Sequence, residues 1–195
     1  MSGSVLRIAI GLLVVGLGLS GCADRGAPAT VWESEPDGSA IDSAIDTPAA
    51  QRLVGSFLRS SGASNDVAAV TLQRAGAPVM VYATYPSSAD HPGHSLERAG
   101  IESYIAVPVR VARRNAVDTL QLEPSPPYLP RAMATGVEET SRPRAAGARL
   151  LLDYPTHTWF GWTRTQVTVI SSEKTPALAG NELNAEAFYA WLQSR

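Results

Sequence analysis

The chain has 195 residues, a formal net charge of −2 and a single cysteine, with 45% hydrophobic and 17% charged side chains. That balance suits a globular domain with a real core. It excludes a disulfide framework or a Cys-type zinc site, and it lacks the basic excess expected of a nucleic-acid partner.

In chain order, Arg7 is the only charged side chain of residues 1–21, and the apolar run Ile8 to Leu19 follows it. At twelve residues the run falls short of the roughly twenty that a helix needs to cross a bilayer, and it suits the h-region of a signal peptide. Leu19, Ser20 and Gly21 then precede Cys22. This tetrapeptide resembles the lipobox of bacterial lipoproteins, a resemblance confined to about the first 22 residues. It implies a signal peptide over 1–21, cleavage after Gly21, and a diacylglyceryl and N-acyl lipid on Cys22. The protein would then be a lipoprotein held on the extracytoplasmic side of the cell membrane. Two buried acyl chains make a stable anchor where one is marginal. The alternative for the same residues is a plain signal anchor with an unmodified cysteine.

Residues 22–46 read as the lipidated cysteine and a flexible spacer, rich in Ala, Ser, Gly, Pro and acid without a sustained period. From Ala23 to Asp46 six acids face Arg25, a net of −5, whereas 47–195 hold twelve acids against fourteen Lys and Arg. An acidic spacer would be repelled by an anionic membrane surface and hold the domain away from it. Trp32 stands in this spacer without helical or strand context, free to touch the membrane interface, the domain or nothing.

The spacing predicts a single domain over 47–195. It opens with a helix in which Thr47 caps, Pro48 takes the first helical position, and Ala50, Leu53, Val54, Phe57 and Leu58 form one face before Gly62 stops it. A hairpin is expected from 66–73 and 78–86 around an Arg74–Ala77 turn, and a second from 103–113 and 117–123. In the latter Ile105, Val107, Val109 and Val111 share a face, and Pro108 points to an edge strand. Residues 124–148 are too Pro-rich and polar for a core element and read as a long loop. Two more strands, near 148–155 and 163–172, precede a final helix buried through Phe188, Trp191 and Leu192. The fold class is α+β, a mostly antiparallel sheet of about six strands with an N-terminal and a C-terminal helix packed on it.

Four clusters could carry function. Asp90, His91 and His94 offer zinc or copper ligands in a turn shaped by Pro92 and Gly93, and His157 follows a second Tyr-Pro strand end that would join them if the two ends are neighbours. Their spacing matches no specific metal signature, and the plain alternative is a solvated turn. Ser171 and Lys174 have the Ser-x-x-Lys spacing of serine β-lactamases, but they follow a strand and lack that family's other elements, so the match is coincidental. Tyr154, Trp159, Phe160 and Trp162 could stack a sugar or line an apolar groove, or simply fill the core. Arg110, Arg113, Arg114, Arg142, Arg144 and Arg149 could bind an anionic group or be a dispersed solvated face.

The expectation is a membrane-anchored envelope lipoprotein acting as a non-catalytic binding or accessory module. Its partners would be the membrane through the lipid anchor, and an envelope protein or an apolar small molecule, with no nucleic acid. The alternatives are a carrier of a lipid or other apolar ligand and a metal-dependent envelope enzyme using the Asp90 loop. No dissociable cofactor is expected, only the covalent lipid on Cys22.

Overall fold

The computed structural model describes residues 32, 35–62, 70–85, 95–112 and 114–195. The signal segment, Cys22 and the Asp90, His91, His94 loop lie outside the described residues. Asp37 starts the folded body: its carboxylate accepts from the Ser39 and Ala40 backbone N–H groups at 2.9 and 3.3 Å, capping α1, Gly38–Ile45. Ile41, Ala44 and Ile45, at helical spacing, are buried in the core. The reading of 22–46 as spacer is therefore corrected, because its last residues are a packed helix. Over residues 23–34 the charges are Asp24 and Glu33 against Arg25, a net of −1 instead of −5.

The next helix, α2 (Pro48–Ser60), follows the expectation. The Thr47 hydroxyl accepts from Ala50 N, Pro48 opens the helix, and Ala50, Val54 and Leu58 are buried. Gly62 follows at φ +70°, a left-handed position that Gly adopts without strain. The chain continues through β1 (Leu72–Arg74), β2 (Val79–Thr84), β3 (Gly100–Val111), β4 (Val117–Leu122) and β5 (Pro130–Ala134). After α3 (Glu138–Ser141) come β6 (Arg149–Asp153), β7 (Thr158–Trp162), β8 (Val167–Ser172), β9 (Glu182–Leu183) and α4 (Ala185–Ser194).

The strands form one sheet in the order β5-β4-β3-β2-β6-β7-β8-β9, with β1 also on β3. Every pairing is antiparallel except β2 with β6. The class is α+β as expected, with nine strands among the described residues in place of six. The extra strands come from segments read as loops. The long loop 124–148 holds β5 and α3, and Pro130 is tolerated because it opens an edge strand. The aromatic run 158–162 is β7.

The first expected hairpin does not form. Both β1 and β2 lie antiparallel along the edge of β3 opposite β4, at Val109–Val111 and Gly100–Ala106, as two segments of one interrupted strand. Pro108 explains the interruption. Its carbonyl accepts from Ala75 N at 2.7 Å, so its missing N–H falls on the same side, where β1 has ended. A Cβ at Gly76 would stand 3.0 Å from Pro108 Cγ. Proline thus sits inside the sheet, contrary to the edge position it suggested, because its neighbour breaks where a donor would be needed.

The helix-covered face of the sheet carries Tyr82, Ile105, Val107, Leu120, Leu151, Phe160 and Trp162, packed with residues of α1, α2 and α4. The other face carries Val81, Tyr104, Ala106, Leu150, Leu152 and Trp159. Residues 137–148 cross it, with α3 over β2 and β3 and Arg142 over Trp159. The centre of the sheet is covered on both sides, which is why Leu150, Leu151 and Leu152 run unbroken.

Candidate anion-binding groove

At the end of the sheet where β2 and β6 begin, a groove of about 560 Å³ is lined by Arg74, Arg144, Arg149 and Arg164, with Trp32 and Glu35 among the remaining walls. Arg74 closes β1, Arg149 opens β6, Arg144 lies in the segment crossing the second face, and Arg164 sits in the turn between β7 and β8.

Trp32 is fixed there by the aromatic core. Three consecutive carbonyls around the 3-10 turn Leu96–Arg98 accept from aromatic donors: Ser95 O from the Tyr189 hydroxyl at 2.9 Å, Leu96 O from Trp162 Nε1 at 2.6 Å, and Glu97 O from Trp32 Nε1 at 3.1 Å. The Trp32 ring also meets Trp162 edge to face, with centroids 4.9 Å apart.

The arginines are held differently. Arg74 pairs with Asp42 through two contacts, Nε to Oδ1 at 2.9 Å and Nη2 to Oδ2 at 3.0 Å, so its charge is compensated. Arg144 donates to the Arg142 carbonyl at 3.3 Å, and burial pulls its guanidinium below the ordinary arginine range. Arg149 and Arg164 stand 5.8 and 5.7 Å from the Trp32 ring centroid, and Arg149 lies 5.9 Å from that of Tyr82. Neither has an ion-pair partner among the described residues. Each makes a cation–π contact, in which the ring face attracts the guanidinium charge without neutralising it. Burial raises the Tyr82 phenol, with the Arg149 charge opposing the shift.

Of the arginines singled out by the sequence, the structure brings only Arg144 and Arg149 to this groove. Arg114 pairs with buried Asp118 at 3.0 Å, and Arg142 bonds Ser171 Oγ at 2.7 Å and Glu138 at 3.4 Å. Arg110 lies exposed on β3, and Arg113 is outside the described residues. Arg74 and Arg164 escaped sequence reasoning, and Trp32 was left open between the membrane interface and the domain, because the three are joined only by the fold.

The four aromatic candidates do not share a surface. Phe160 and Trp162 are packed in the main core, where Phe160 meets Phe188 and Trp191 at 5.6 and 5.2 Å and Trp162 meets Tyr82 at 5.4 Å. Trp159 lies on the opposite face under the Arg142 guanidinium at 4.5 Å. Tyr154 is exposed in a turn and exchanges a hydrogen bond with Ser103. Strand alternation of side chains separates them.

The Tyr-Pro strand ends are neighbours, since Ala83 pairs with Leu152. His157, at φ +50°, contacts Glu173 there. Among the described residues no group of three His, Cys, Asp or Glu side chains could hold a metal ion. The polar cluster at this end is enclosed. Asp153, wholly buried, accepts from Thr84 Oγ1, Thr156 N and Thr156 Oγ1 and pairs with Arg195, and a hydroxyl chain continues from Thr156 through Thr158 to Ser172. With its carboxylate saturated and out of reach of solvent, this network ties β2, β6, β7, β8 and α4 together. The Ser171 hydroxyl, the first residue of the Ser-x-x-Lys spacing, accepts from Arg142 at 2.7 Å.

No protein-family model matches the chain, and comparison with curated proteins and with solved structures gives no match either.

Proposed function

We propose that the protein is a bacterial envelope lipoprotein, anchored by acylated Cys22 on the extracytoplasmic side of the membrane, whose folded domain is a non-catalytic binding module for an anionic ligand. The anchor rests on the Leu19 to Cys22 tetrapeptide that follows a twelve-residue apolar run. The binding activity rests on one observation: Arg149 and Arg164, each within cation–π range of Trp32 and lacking ion pairs among the described residues, line a single groove with two further arginines. Arginine forks of this kind match carboxylate and phosphate oxygens.

Two experiments test the two parts. Cys22→Ala is expected to leave an unprocessed precursor without lipid label, and normal labelling of that variant would remove the anchor. For the groove, the full chain in non-ionic detergent is passed over phosphocellulose at low salt. Despite its formal charge of −2 it should be retained, and Arg149→Gln with Arg164→Gln should elute at clearly lower salt. Wild type and double variant flowing through together would overturn the binding reading.

A further inference from the structure

We propose that the arginine groove is the face on which the domain rests against its own membrane, with the phosphate of anionic phospholipid headgroups as the ligand. This rests on the Cys22 anchor and on the anion-binding reading, and it names the source of the anion.

Reach is the first argument. Nine residues separate Cys22 from Trp32, and ten Cα steps span at most about 35 Å. Trp32 is fixed on the body at the groove, through Glu97 O and the Trp162 ring. A domain of this length measures roughly 40 Å across. The tether therefore leaves from the groove end and is shorter than the body it holds. When it draws in, the groove meets the bilayer, while the Asp153 end of the sheet stays outward.

Charge is the second argument. Two of the six acids that made the spacer look repellent are engaged within the fold: Asp42 neutralises Arg74 and Asp37 caps α1. The remaining tether is nearly neutral, and the groove presents Arg149, Arg164 and Arg144 against Glu35. Arginine edges bind phosphate oxygens as forks, and an indole beside them suits the headgroup layer, where Trp is enriched. Each basic side chain close to an anionic surface strengthens association by about fivefold, so losing two weakens docking by about thirtyfold.

The test uses the processed, acylated protein in phosphatidylcholine vesicles with or without phosphatidylglycerol, followed by amide hydrogen exchange. Phosphatidylglycerol should slow exchange at 75–77, 144–148 and 163–166 and leave 154–157, at the far end, unchanged. Arg149→Gln with Arg164→Gln should lose that protection while still floating with both vesicles and unfolding in a single cooperative transition. Equal exchange on the two vesicle types overturns the docking. If the double variant nevertheless loses phosphocellulose retention, anion binding stands and only the membrane as its source falls. Equal protection by free sn-glycerol 1-phosphate on phosphatidylcholine vesicles also overturns the docking, assigning the groove to a soluble phosphoester. A Cys22 without acyl mass removes the anchor and with it the geometry of the proposal.

Discussion

Replacing Asp153 by Ala tests how the sheet end opposite the groove is held together. Asp153 is 0% exposed and the Arg195 side chain 8% exposed. The carboxylate accepts from Thr84 Oγ1 at 2.6 Å, Thr156 Oγ1 at 2.6 Å and Thr156 N at 3.1 Å, and it pairs with Arg195. The guanidinium also donates to Tyr85 O at 2.8 Å and Leu192 O at 3.1 Å, so it cannot swing into water without surrendering the grip of α4 on β2. Asp153→Ala leaves that cation buried and unpaired. Breaking such a pair costs about 3–5 kcal/mol. For a domain of this size each kcal/mol moves Tm by about 2–4 °C, so a fall of roughly 6–20 °C is expected by circular dichroism. Arg195→Met in the same chain removes the stranded charge and should recover part of the loss. An Asp153→Ala variant melting within about 2 °C of the parent, or a double variant whose losses simply add, would refute the reasoning.

Two further outcomes follow from close packing and from burial. Gly76→Val should destabilise the chain by about 1–3 kcal/mol, because the Cβ already meets Pro108 Cγ at 3.0 Å, and Pro108→Ala should relieve part of it in the double variant; a Gly76→Val protein with parental urea midpoint would contradict the interrupted-strand geometry. Burial, and after it the neighbouring Glu139, pushes the Tyr104 phenol far above its ordinary value. The unfolded chain ionises this group near pH ~10 while the fold keeps it protonated, so its contribution is intact below that pH and is lost as pH rises above it. Tyr104→Phe should therefore flatten the alkaline fall of Tm, with burial of Tyr82 and Tyr189 sustaining the remainder; equal slopes would count against the assignment.

The elements readable in the sequence are those whose determinants are local. For α2, cap, first-turn proline, apolar face and terminal glycine occur within sixteen residues, Thr47 to Gly62. The β3–β4 hairpin and α4 were legible for the same reason. Helix α1 carried a signal that composition obscured: Asp37 before Ile41, Ala44 and Ile45 is a cap and an apolar stripe inside a polar, acidic stretch. The separation of β1 from β2 depends on Pro108, thirty-two residues beyond Gly76, and the parallel β2–β6 pair joins strands about seventy residues apart. Neither is available to a local pattern. For β7, aromatic content suggested a platform where two-sided burial was the cause, since Trp159 and Phe160 face opposite layers. The groove was least legible of all, because Trp32, Arg74, Arg149 and Arg164 meet only after the sheet end forms.

The central claim, that this groove binds anions, is met most directly by fluorine NMR of the full chain labelled with 5-fluorotryptophan, in non-ionic detergent. Each of its four tryptophans contributes one fluorine resonance, and that of Trp32 is assigned through Trp32→Phe. Titration with inorganic pyrophosphate should shift the Trp32 resonance saturably and leave Trp191, packed on Phe160, in place, and Arg149→Gln with Arg164→Gln should abolish the shift. A Trp32 resonance that stays fixed, or that moves equally in the double variant, would contradict the account.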